Sequence, residues 1–358
     1  MKTCNSPYPP HSLTIKAVTW SRDSHGLYDY ESRNVQKKLL STNTSCSLAR
    51  VGTDIKQSEP KCEPELSEDS SLLCQIETES SDFFISALTE PIWLVARTMK
   101  TKYGPGFILQ EGHIIKLGRV CFKVTMLRTV IDTEDSDNTQ DSDEFDIDIP
   151  NERESETCRI CLSYEADSTN PLISPCKCSG SMKFIHLLCL RHWLNSRKIS
   201  RMTDNCVTFS WKSIDCEICK SNIPFSLDRM GKESELLRIE KPKSPFLVLE
   251  GVGNDKNSNK GVHIVGITGN NLISLGRGHD ADVRISDISV SRTHATIKFI
   301  DGCFVVEDKN SKFGTLVNVS DKLKISQSNS IVVQIGRTVI SFSTKPQSSN
   351  FESHDITN

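Results

Sequence analysis

No stretch of the 358-residue sequence approaches 18 consecutive apolar residues, so no membrane-spanning helix is expected. The opening residues, MKTCNSPYPPHSLTIKAVTWSRD, place prolines and polar side chains where a secretory leader needs an apolar core. A cationic excess is missing too: 43 Lys and Arg stand against 46 Asp and Glu, a formal net charge of -3. That balance argues against a globally basic nucleic-acid or membrane-surface binder, while leaving room for a local patch. These absences together lead to the expectation of a soluble intracellular protein, cytoplasmic or nuclear, with no nucleic acid partner. The length suits two or three domains.

What the chain does have is cysteine, 14 residues of it. Without a leader, metal ligation is a better reading of such a count than disulfides. Seven of these cysteines and one histidine gather in CRIC, PCKCSGSMKFIH, LLCLRHW and CEIC. Read as ligands they are Cys158, Cys161, Cys176, Cys178, His186, Cys189, Cys216 and Cys219. Eight donors fill two tetrahedral sites, and zinc is the ion that takes four Cys or His ligands in closed structural sites. Fourteen residues separate Cys161 from Cys176 and 26 separate Cys189 from Cys216. Running into that longer loop, HLLCLRHWLNSR has helical spacing, with Leu187, Leu190 and Leu194 on one side. The remaining cysteines (Cys4, Cys46, Cys62, Cys74, Cys121, Cys206 and Cys303) lack ligand spacing and read as free thiols or small core residues.

Residues 1–80 are rich in Ser, Thr, Pro and charge with no sustained period, and are expected to be mostly disordered. LTIKAVTW could still dock as a strand. Residues 83–130 carry short apolar runs broken by YGPG and EG, which reads as a small β unit. Within it GHIIKLGRVCFKV (112–124) lines up with SIVVQIGRTVISF (330–342), a hint of a second, degenerate copy of the C-terminal domain. Residues 131–156 form an acidic linker that self-repulsion would extend, with Ser136, Thr139 and Ser142 among the acids. Residues 346–358 read as a disordered tail.

SPCKCSGSMKFIHLLCLRHWL, with the flanking CRIC and CEIC, resembles the RING-CH zinc domain, and the likeness covers residues 157–225. A PHD finger uses the same donor set, but Ile214 stands where that family keeps an aromatic residue, and Trp193 fits RING-CH. The resemblance implies a cross-brace: Cys158, Cys161, His186 and Cys189 on one Zn2+, and Cys176, Cys178, Cys216 and Cys219 on the other. It also implies a ubiquitin ligase that docks a ubiquitin-charged conjugating enzyme. Ile160 and Trp193 match the family's apolar contact points, and Lys220 stands where many such domains carry a cation that bridges to ubiquitin.

Residues 245–345 alternate apolar and polar side chains in short runs with Gly, Asn and Asp at the breaks, the pattern of an all-β sandwich. Gly276-Arg277, Ser291 with His294, Gly314-Thr315 and Asn318 resemble the hallmarks of the forkhead-associated (FHA) domain, a phosphothreonine reader. The resemblance implies that Arg277 and Ser291 bind phosphate, that Arg292 and Lys312 add positive potential, that Asn318 belongs to the peptide site, and that His294 ties loops together. Phe313 departs from the Asn that many such domains keep before the Gly-Thr turn. The architecture expected is thus multidomain α+β: a disordered N-terminus, a small β unit, a two-zinc module and a β-sandwich. Two functions follow: a ligase that recruits threonine-phosphorylated proteins, or a zinc-containing phosphopeptide adaptor without ligase activity.

Overall fold

The computed structural model describes residues 11–22, 26–59, 70–79, 82–129, 156–211, 214–223, 226–229, 232–235, 242, 245–252, 261–318, 322–325 and 330–346. The acidic linker with Ser136, Thr139 and Ser142 and the C-terminal tail lie outside the described residues, apart from Glu156 and Pro346 at their edges. The chain divides into two units: Met1–Val120, Ser274–Lys298 and Phe304–Asn358 make the first, and Cys121–Ile273 with Phe299–Cys303 the second.

The N-terminal stretch supplies β1 (His11–Trp20), β2 (Val35–Thr42), β3 (Cys46–Val51), β4 (Asp54–Ser58), β5 (Ser70–Glu79), β6 (Asp82–Ala87) and β7 (Trp93–Val95). Then come β8 (Lys100–Thr101), β9 (Gly104–Pro105), β10 (Phe107–Ile108), β11 (Ile114–Leu117) and β12 (Val120–Arg128). The cysteine-rich module holds β13 (Leu172–Ile173), β14 (Ile185–His186), α1 (Leu187–Ser196), β15 (Ile199–Met202) and β16 (Cys206–Trp211). After β17 (Ser226–Arg229) and β18 (Lys232–Glu235) follow β19 (Phe246–Val252), β20 (Val262–Ile267), β21 (Leu272–Gly276), β22 (Val283–Arg284), β23 (Ala295–Ile300) and β24 (Cys303–Asp308). The chain closes with β25 (Thr315–Asn318), β26 (Leu323–Ile325), β27 (Ile331–Ile335) and β28 (Thr338–Pro346).

Much of residues 1–80, expected to be disordered, is therefore strand. Leu13, Ile15 and Ala17 are buried while Lys16 between them is exposed, the period-2 pattern of a half-buried strand. The apolar surface this segment cannot supply alone comes from the far end of the chain: β1 pairs antiparallel with β28, Ile15 opposite Phe342. Leu13, Ile15, Leu48, Ile76, Phe83 and Ile85 share one core cluster with Ile325, Val333, Ile340 and Phe342.

Within the first unit, strands run β2-β1-β28-β27-β7-β25-β11. Two five-stranded sheets complete it, β26-β6-β5-β3-β4 and β10-β24-β23-β21-β22. The two orders correspond strand for strand. They differ at one end, where β3–β4 is antiparallel and β21–β22 parallel, and each gains an edge strand from the other half of the sequence: β26 pairs with β6, and β10 with β24. The likeness noted between residues 112–124 and 330–342 is a hairpin in both places, β11 to β12 and β27 to β28. Each turns on Gly-Arg, with Gly118 at φ 60 and Gly336 at φ 53, the left-handed conformation that tight two-residue hairpins require.

The second unit joins the cysteine-rich module to strands expected to open the C-terminal sandwich. The β15–β16 hairpin fills the loop between Cys189 and Cys216, and β16 pairs with β20, Cys206 opposite Ile267. β20 pairs with β19, and β19 with β12. Trp211 is 1% exposed and donates its indole N–H to the Leu194 carbonyl at 3.0 Å, which fastens the hairpin to α1. Leu187, Leu190, Leu194, Trp211, Phe246, Val248, Val262 and Ile264 form one cluster with Cys158 and Cys216. One face of β19 and β20, with Phe246, Val248, Val262 and Ile264, therefore covers the apolar side of the zinc module, while Leu247, Leu249 and Val265 are buried on the opposite face. Among the described residues no helix is long and apolar enough to cross a membrane.

Candidate metal centre and phosphate-binding loops

Both C-x-x-C segments fold the same way. Leu162 N donates to Cys158 O at 2.8 Å and Cys158 N to Ser163 O at 2.9 Å. In the second, Lys220 N donates to Cys216 O and Cys216 N to Ser221 O, each at 2.9 Å. Leu162 and Lys220 take positive φ at matching places, 63 and 58. Such a turn aims both thiols to one side. α1 opens directly after His186, so His186 and Cys189, three residues apart, share a face.

The donors of Cys158, Cys161, His186 and Cys189 lie within 4.8 Å of one another, as do those of Cys176, Cys178, Cys216 and Cys219. This is the interleaved pairing that the RING-CH resemblance implies. Arms of about 2.3 Å in a tetrahedron put two zinc-bound sulfurs roughly 3.8 Å apart. Cys178 Sγ and Cys216 Sγ are 3.7 Å apart, and Cys161 Sγ is 3.2 Å from His186 Nδ1. The residues fit two zinc ions.

Burial pushes the Cys158 thiol up, but the Cys161, His186 and Ile160 backbone N–H groups outweigh it and bring its pKa down to about 6. The Ser221 hydroxyl and N–H lower Cys219 to about 6 as well. Burial and neighbouring thiols hold Cys178 and Cys189 up at about 12, so a divalent cation is what would draw off their protons.

The sequence reading missed Arg159. It stands in the first C-x-x-C, yet its guanidinium reaches Cys176 Sγ and Cys216 Sγ of the other group, both at 3.6 Å, and Met182 O at 2.9 Å. One cation thus links the two ligand sets. Ile160 is 46% exposed, and so is its counterpart Ile218, at 52%, which the reading also passed over. CRIC and CEIC both put Ile before the second Cys, the signal that would have found it. Trp193 is half-buried against the core, with the Arg197 guanidinium 4.9 Å over its ring. Lys220 is exposed.

In the first unit, Arg277 stands just past the end of β21. Its backbone N–H donates to Ser291 O at 2.9 Å and its Nε to Val290 O at 3.2 Å. A Cβ on Gly276 would lie 2.0 Å from Arg292 O, so glycine there is what lets the two loops touch. Ser291 N donates to His294 Nδ1 at 3.0 Å, which leaves Nε2–H to donate to Gly314 O at 3.1 Å. Burial lowers the His294 pKa and keeps this neutral tautomer. Lys312 N completes the stitching by donating to Ser291 Oγ at 3.2 Å.

Arg277, Ser291, Arg292 and Lys312 are thus carried on loops bonded to one another. Asn318 is not aimed with them: its Nδ2 donates to Ile92 O at 2.8 Å. Sequence reasoning also missed Arg97, which pairs with buried Asp308 at 2.8 Å and donates to Ser311 O at 2.6 Å, bracing the loop that carries Lys312. Lys312 Nζ lies 3.5 Å from Asp29.

With this geometry in hand, comparison with known proteins defines the class. The RING-variant domain family matches residues 158–219 and the FHA domain family matches residues 273–342. The chain carries a RING-CH zinc domain and an FHA domain. It is 37% identical over 89 residues to "E3 ubiquitin-protein ligase MARCHF7" of Rattus norvegicus, covering 25% of this chain and 11% of the relative. It is 41% identical over 69 residues to "ERAD-associated E3 ubiquitin-protein ligase DOA10" of Saccharomyces cerevisiae, covering 19% of this chain and 5% of the relative. "Probable E3 ubiquitin ligase SUD1" of Arabidopsis thaliana is 41% identical over 75 residues, 21% of this chain and 7% of that one. The chain thus spans about a tenth or less of the length of these relatives.

Proposed function

We propose that this chain is a RING-type ubiquitin–protein ligase that docks a ubiquitin-charged conjugating enzyme and recruits threonine-phosphorylated proteins through its FHA loops. The observation that carries the reading is the pair of interleaved four-donor groups, a closed zinc scaffold with apolar side chains exposed on its turns. Bound zinc supplies rigid, fully ligated anchor points and no open coordination position for water. Ile160 and Trp193 meet the conjugating enzyme, and Lys220 lies toward ubiquitin. The transfer itself joins a substrate lysine amine to the ubiquitin carboxyl carbon and releases the enzyme's thiol. The platform contributes orientation, worth several kcal/mol of barrier. On the FHA side Arg277 and Ser291 hold the phosphate, with Arg292 and Lys312 adding charge.

Autoubiquitination by the purified full chain tests the first half. Ile160→Ala lowers the rate about tenfold or more while metal analysis still returns two zinc ions per chain. Equal rates in both proteins favour an adaptor without ligase activity. That second reading draws on Trp193, which packs against the core and beneath Arg197.

A further inference from the structure

Beyond Arg277 a cleft of about 710 Å³ opens, lined by Arg277, His279, Arg284, Asp287, Ile288 and Arg292 among others. Three guanidinium-bearing side chains border this one space. Arg277 makes its side-chain bond to a backbone carbonyl, and neither Arg284 nor Arg292 pairs with a carboxylate among the described residues. Two carboxylates also line the cleft, Asp280 and Asp287. Asp287 is already engaged by Ser289 N at 2.8 Å, Ser289 Oγ at 2.6 Å and Arg119 at 3.5 Å. Positive charge there exceeds negative.

A single phosphothreonine carries about −1.5 to −2 charges and three acceptor oxygens. Arg277, Ser291 and Lys312 account for those. Arg284 is left over and sits close by: β22 runs parallel to β21 with Arg284 opposite Gly276, one strand spacing of about 4.8 Å away. An extended peptide advances roughly 3.3 Å per residue, so a side chain one to three positions from the phosphothreonine comes within reach of Arg284. Guanidinium groups suit phosphate because their planar fork meets two oxygens at once.

We propose that this cleft is a second phosphate subsite, in which Arg284, with Arg292 beside it, takes a second phosphorylated residue of the same peptide. The inference rests on the phosphothreonine reading above and deepens it, making doubly phosphorylated segments the preferred ligand.

The test uses fluorescence anisotropy with the full chain and synthetic alanine-rich peptides. One peptide carries a single phosphothreonine; others add a second phosphothreonine one, two or three residues to either side. At least one doubly phosphorylated peptide binds about tenfold tighter than the single one. Arg284→Ala removes that gain and leaves the singly phosphorylated peptide unchanged; being exposed, Arg284 is dispensable for folding. No gain at any spacing, a gain that survives Arg284→Ala, or an equal gain from glutamate at the second position overturns the subsite. If the singly phosphorylated peptide binds no better than its unphosphorylated form, the phosphothreonine reading itself falls, a distinguishable result.

Discussion

Arg50 and Arg277 occupy corresponding places in two five-stranded sheets of the same order, one at the end of β3 and the other just past the end of β21. Each faces a serine on the neighbouring strand or loop, Ser71 for Arg50 and Ser291 for Arg277. Their surroundings differ in sign. Three residues before β25 the chain places Lys312, whereas three residues before β7 it places Glu90. The Arg50 side chain is 9% exposed and is satisfied from within: Ser71 Oγ at 2.8 Å, Thr338 Oγ1 at 3.4 Å and the Glu90 carboxylate at 3.7 Å. Arg277 is exposed and makes no ion pair among the described residues. A guanidinium that its own chain already neutralises braces a fold, and one left to solvent waits for an anion. On the phosphate-binding proposal, arginine at this strand end is a phosphate signal only together with the charge on the loop before β25 or β7.

The sharpest way to break the comparison is to remove each arginine in turn. Arg277→Ala weakens phosphothreonine-peptide binding on the order of a hundredfold, read by anisotropy, and leaves urea unfolding almost unmoved. Arg50→Ala does the reverse. It takes this partner from Glu90 and Ser71, costs about 2–3 kcal/mol in urea unfolding, and leaves peptide affinity unchanged. Next in size is Lys312→Glu, which gives the C-terminal loop the sign of the N-terminal one. Peptide affinity falls about tenfold, with a weaker salt dependence.

The smallest effect concerns pH. The folded-state pKa of His294 is depressed by burial, so its contribution to stability is present at neutral pH. It is lost as pH falls from the ordinary histidine value near 6.5 toward the lowered one, because the unfolded chain then binds the extra proton. His294→Gln flattens that slope in pH-dependent thermal unfolding, while Arg50→Ala leaves it in place.

The two metal donor groups, and the loop contacts among Gly276, Ser291, His294 and Gly314, were legible because their chemistry is local. C-x-x-C turns, the H-x-x-C face of a helix and a Gly-Arg turn are each written within a few residues. The N-terminal strands were not legible, since Ile15 finds its neighbour at Phe342 and no window contains both. The same reason hid Arg159, Arg97 and the Arg50 pair, whose partners lie on other elements. The alternation in residues 245–252 and 261–267 marks strands correctly, but it does not say what each face covers: Phe246, Val248, Val262 and Ile264 pack with Trp211 and α1, while Leu247, Leu249 and Val265 are buried on the opposite face.

The pairing of β1 with β28 also sets a timetable. Thr19 bonds Thr338, 319 residues further along. At about 5–20 residues per second of synthesis, the first sheet waits roughly 15–60 s for its closing hairpin. During that interval Leu13, Ile15 and Ile76 lack the cover that Phe342 and Ile340 later provide. Birth of the molecule therefore runs through an interval of exposed greasy edges, ended only when β27 and β28 arrive.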